Sequence, residues 1–110
     1  MAVQQYDYNN HTVILERAEY VNGGLAVRMW EKGYESENAC DWEPYADVTR
    51  WLFNVGDRKA FVDENNLPGI GQWLESNGLA TYTGIDMPSG YCIYPLYEFT
   101  DKFFSTSTNE

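Results

Sequence analysis

The chain has 110 residues, 44% of them apolar and 16% aromatic, and a formal net charge of −10. That length fits one domain, residues 1–110, and that apolar share excludes a disordered tail. The charge repels phosphate, which argues against direct nucleic-acid binding and against docking on an anionic membrane, while a basic protein surface would be attracted.

The first twenty residues, "MAVQQYDYNNHTVILERAEY", contain no basic segment followed by an apolar run and a small-residue cleavage site. No apolar stretch approaches the ~20 residues of a membrane helix. A cytoplasmic chain with reduced thiols is therefore expected. Cys40 and Cys92 form no CxxC motif, and their pairing is left open by the spacing.

From Val3 to Lys32 the pattern predicts three strands joined by two turns. Asn9-Asn10 and Asn22-Gly23-Gly24 are the turns, because Asn and Gly tolerate positive φ. Leu25, Val27 and Met29 alternate with Ala26, Arg28 and Trp30, the period of a half-buried strand. "GYESENACDWEPY" is polar and acidic and is expected to be an exposed loop or long hairpin tip. Strand character returns in "YADVTRWLFN", from Tyr45.

"NNLPGIGQWLESNGL" predicts one helix, starting at Asn66 or Leu67 with Pro68 in its first turn. Ile70, Trp73 and Leu74 share a face, and Gly78 supplies a left-handed stop. "ATYTGIDMPSG" is expected to be a loop. "SGYCIYPLYEF" is expected to be a core strand, with Pro95 demanding a sheet edge or a bulge. The tail is expected to fray from about residue 105. Together these elements predict an α+β fold: an antiparallel sheet of about five strands with one short helix packed on one face.

The chemistry-bearing residues point away from catalysis. The single histidine, His11, has no local link to Cys92, and a thiol inside a strand acts as a small hydrophobe. "DENNLPGIGQWLE" fails as a calcium loop because Pro68 and Leu74 stand where Gly and Glu are required. "GIGQWL" lacks the third glycine of a dinucleotide fingerprint. No metal, no cofactor and no enzymatic activity are expected.

The acids are unevenly placed. Six lie between Glu31 and Asp47 against one Lys, and six more lie between Ala60 and Asp101 with no Lys or Arg. Carboxylates on a rigid face can imitate a row of phosphates, and Trp or Tyr in an acidic loop suits a binding hot spot. The expected partner-binding residues are Glu31, Glu35, Glu37, Asp41, Trp42, Glu43, Tyr45, Asp63, Glu64 and Asp86, with "CDWEPY" as the first contact surface.

"NGGLAVRMW", "EPYADVT", "AFVDENNLPGIGQWLESNGLA" and "SGYCIYPLYEF", in this order, resemble a family of small uncharacterised proteins from conjugative and other mobile elements of gut Firmicutes. The resemblance covers about Tyr6 to Phe99 and carries no known active residues. It implies that the aromatic strand belongs to the shared scaffold. It also implies a setting in which accessory proteins blunt host defences. The leading expectation is thus a non-enzymatic acidic inhibitor that occupies the basic DNA groove of a CRISPR effector or restriction nuclease. The alternatives are an interaction adaptor that uses exposed aromatics, and a small cysteine-dependent enzyme.

Overall fold

A computed structural model describes residues 3–33 and 42–109. The chain folds as α+β, with antiparallel strands and a short helix packed against them, as the patterning predicts. The strands divide between two sheets.

The first sheet opens with β1 (Tyr6–Tyr8), β2 (His11–Glu19) and β3 (Leu25–Lys32), followed by β4 (Trp42–Asp47). Asn9 and Asn10 both take positive φ, 49° and 67°, as a two-residue hairpin turn requires. On β2 and β3 the odd-numbered Val13, Leu15, Leu25, Val27 and Met29 are buried in the core. Trp42 to Pro44 are strand, not loop, because Lys32 pairs with Trp42 and Glu31 with Glu43. The pairing skips Tyr45, since Met29 faces Ala46 and Trp30 faces Pro44. Pro44 is tolerated on β4 because that strand lies at the sheet edge.

Val48 carries the chain from one sheet to the other. Its N–H donates to Val27, and its carbonyl accepts from Asp63. The second sheet follows in the order β5 (Thr49–Arg50), β6 (Lys59–Val62), β8 (Cys92–Phe99), β7 (Ala80–Ser89). The strand expected over 45–54 ends at Arg50, so Trp51 and Phe53 leave the sheet and lie exposed.

Helix α1 runs from Ile70 to Ser76, later than expected, and Gly69 rather than Asn66 or Leu67 is its N-cap. Gly78 has φ 72° and closes the helix: its N–H reaches the Glu75 carbonyl, and that of Leu79 reaches Leu74. Ile70 and Leu74 are fully buried against the sheets.

The segment expected to be a loop, Ala80–Ser89, is β7. Its turn formers do not break it. The register shifts between Tyr82 and Asp86, which absorbs Gly84 in a bulge, and Pro88 lies on a strand with no outer neighbour among the described residues.

β8 is the aromatic strand. Tyr94 and Leu96 bury on one side with Phe61, whereas Tyr97 and Phe99 bury on the other in the main core. The rings of β8 are scaffold, and the large apolar residues left exposed in this stretch are Ile93 and, at the hairpin tip, Tyr91. Pro95 sits opposite Asp86, beside the bulge and just beyond the last β6 pair, Phe61 with Leu96. A missing N–H costs no ladder bond there.

The tail expected to fray is built into the fold. α2 (Asp101–Thr106) starts at Thr100, whose side chain accepts from the Phe103 N–H. Phe103 is fully buried against Phe99, and β9 (Thr108–Asn109) pairs in parallel with Glu16 and Arg17 of β2. An aromatic pair in the core outweighs the fraying entropy of a polar tail.

Candidate functional site

The structure divides the expected site residues among different tasks. Glu35, Glu37, Asp41 and Cys40 lie outside the described residues. Glu31 is engaged at 2.7 Å by Nδ1 of His11. The His11 ring packs at a tilt against Tyr45, 4.8 Å between centroids, and Tyr45 meets Tyr8 edge to face. Tyr45 packs against the main core, and Trp42 is half-buried on β4. Glu43 stands exposed beside Glu31. Cys92 and His11 belong to different sheets, so the strand that holds the thiol does not pair with the one that holds the imidazole.

Asp63 and Glu64 are local structural groups. Asp63 is buried and accepts from the backbone N–H and the side-chain amide of Asn66. Glu64 accepts from the N–H groups of Gly69 and Gly71, at 2.9 and 2.6 Å, and so satisfies two donors at the start of α1. Neighbours in sequence, the two acids serve two different turns.

A second arrangement was not anticipated from the sequence. The register places Tyr82 opposite Tyr97, Asp86 opposite Pro95 and Pro88 opposite Ile93. Directly paired residues share a face. Tyr82, Asp86, Pro88, Ile93, Pro95 and Tyr97 therefore form one strip. α1 packs beside β7, and Tyr97 at that end is buried while Ile93 remains 58% exposed. Tyr91, at the hairpin tip, is fully exposed.

Three acids, Glu64, Glu75 and Asp86, stand near Tyr82 and Tyr97 in this strip. The Tyr82 hydroxyl donates to Asp86 at 2.7 Å, and that bond, ahead of burial and the Asp86 charge, pushes the phenol's pKa up. Burial, then the charges of Glu75 and Glu64, raises Tyr97, with Tyr82 and Asp86 adding less. Glu64 and Asp86, two of the expected residues, thus act on one tyrosine. Glu75 also accepts from the Tyr82 N–H at 3.1 Å. With Pro88 lacking an N–H, this carboxylate and the bulge blunt the outer edge of β7 against strand addition. The side-chain face, not the backbone edge, is what β7 offers.

A family model described as a domain of unknown function, DUF4313, matches residues 1–107. The chain belongs to the DUF4313 family. No curated protein and no solved structure matches it. The matched span takes in β1 to β8, α1, α2 and the whole strip, so the strip lies within the family domain.

Among the described residues no group of three His, Cys, Asp or Glu side chains is placed to hold a metal ion, and no helix is long and apolar enough to cross a membrane.

Proposed function

We propose that this DUF4313 protein is a non-enzymatic interaction module of the cytoplasm that binds a basic protein through the β7–β8 strip. The observation that carries this reading is the exposure of Ile93, Tyr82 and Tyr91 on a hairpin whose other rings are packed in the core. Rings and branched aliphatics on a rigid strand lose little entropy on binding, so they suit the centre of an interface. Glu64, Glu75 and Asp86 supply a rim of one sign, and no Lys or Arg occurs between residues 60 and 101 to offset it. Such a rim raises the association rate with a basic partner and screens out acidic ones.

The test is affinity capture from cells that carry the protein, comparing the native chain with I93D and with the double variant E75Q/D86N. A bound protein lost with I93D, and bound more slowly by E75Q/D86N, supports the strip. Capture unaffected by I93D overturns it.

A narrower reading keeps the mobile-element setting: the basic surface is the DNA groove of a defence nuclease or CRISPR effector, and the acids take the place of phosphates. What supports it is the net charge and the family resemblance. It differs in expectation, because DNA would then compete with this protein for the partner.

A further inference from the structure

A cleft of about 590 Å³ opens where the β2–β3 hairpin, the loop before β6, α2 and β9 meet, and it shares no residue with the strip. Its walls carry Arg17, Glu19, Leu25, Asp57, Phe104 and Asn109. The register sets the first three. Arg17 pairs with Val27 and Glu19 with Leu25, and directly paired residues share a face. Val27 and Leu25 are buried in the main core, so Arg17 and Glu19 lie on that same side of β2, at the margin of the core.

Arg17 is the unusual group. Seventeen acids stand against seven bases in this chain. Arg28 and Arg58 are each ion-paired, with Asp47 at 3.3 Å and with Asp101 at 2.6 Å. Arg17 makes no ion pair among the described residues, and its Nε is buried without an acceptor. Its guanidinium carbon lies 5.5 Å from the centre of the Phe104 ring, and that of Arg58 lies 4.7 Å from the same ring. Two like charges thus converge on one ring, and the half-buried one lacks a counter-charge. Burying a charge without compensation costs stability, and a bound anion removes that cost. Stacking on Phe104 holds the guanidinium before any ligand arrives, and its planar fork matches a carboxylate.

Opposite charge lines the same cleft and yet leaves Arg17 alone. Glu19 and Asp57 are both exposed there, and neither comes within ion-pair distance of Arg17. These two acids repel a dianion. A molecule with a carboxylate at one end and an ammonium at the other finds a partner for each. Leu25 and Phe104 add apolar wall, and the volume lies within the range of small-ligand pockets.

We propose that this cleft binds a free α-amino acid with an apolar side chain, its carboxylate on the Arg17 fork and its ammonium toward Glu19 and Asp57.

The experiment is a titration of the ¹⁵N-labelled full chain with L-leucine, read at the Arg17 Nε–H and at the Gly24 and Phe104 amides. Two companion probes each lack one end: leucinamide has no carboxylate, and 4-methylpentanoate has no ammonium. A saturable shift with leucine is expected, with each companion weaker by about fivefold or more. These arms use the native chain, so they stand whether or not an Arg17 variant folds. The double variant E19Q/D57N, at exposed positions, should weaken leucine about fivefold and leave 4-methylpentanoate unchanged. No saturable shift with leucine, either companion binding as tightly as leucine, or an unchanged leucine affinity in E19Q/D57N overturns the proposal. Such a failure leaves the strip untouched, because no strip residue lines the cleft.

Discussion

Oε2 of Glu64 lies 2.6 Å from the backbone nitrogen of Gly71, and the other oxygen accepts from Gly69. An acid that the sequence offers as a partner contact is thereby a cap for a helix whose N-cap residue has no side chain. Glu64→Ala leaves these donors without their partner and should cost about 1–2 kcal/mol by urea unfolding. Glu64→Gln keeps an acceptor oxygen and should cost less.

Gly71 shows why a poor helix former stands inside α1. A Cβ there would collide with the phenol of Tyr97 and the carboxylate of Glu64. Ala is favoured over Gly by about 1 kcal/mol in a helix interior. Even so, Gly71→Ala should destabilise the protein, by about 1–3 kcal/mol from overpacking. Adding Tyr97→Phe removes the nearest atom but leaves the ring, so recovery in thermal unfolding should be partial.

Phe103 tests whether the C-terminal segment belongs to the core. It is fully buried against Phe99. Phe103→Ala should cost about 3–5 kcal/mol, the usual range for a core phenylalanine. A frayed tail would give no measurable change in the unfolding midpoint.

Among the described residues five tyrosines, Tyr8, Tyr20, Tyr82, Tyr94 and Tyr97, have raised pKa values; burial is the leading cause except at Tyr82, where the bond to Asp86 leads. A phenol whose folded pKa exceeds its unfolded value holds its proton longer in the native state. Its contribution to stability is complete below about pH 10 and is lost as pH climbs through the folded value. Stability should therefore decline above pH 10. Absorbance at 295 nm should show part of the nine tyrosines ionising late, together with unfolding. Simultaneous ionisation of all nine near pH 10 in the folded chain would contradict this.

Much of the fold is legible in the residues. Asn9-Asn10, the alternation of Leu25, Val27 and Met29, and the Gly78 stop all act locally, and each holds in the structure. β7 was missed because Gly84 and Pro88 are turn formers by propensity, and only the pairing with β8 reveals a bulged edge strand. The division into two sheets turns on Val48, whose hydrogen bonds to Val27 and Asp63 have no local signature. The site was less legible than the fold. Acidity marks Glu64 and Asp86, but the exposure of Ile93 follows from where a seven-residue helix stops covering the sheet. A cleft beside Ala18 and Ala26 likewise needs the register to bring two small residues together.

The exposed residues of the strip, Ile93 and Tyr82, should be nearly free of folding duty. Ile93→Asp and Tyr82→Phe are exposed changes and should alter stability by less than about 0.5 kcal/mol. The same I93D change should weaken partner binding at least tenfold, an effect of hot-spot size.

Hydrogen exchange of the chain with and without its captured partner tests the contact surface most directly. The account predicts slowed exchange in residues 82–95, with little change along β1 and β9. Protection confined to the first sheet, with the β7–β8 hairpin exchanging as in the free protein, would contradict it.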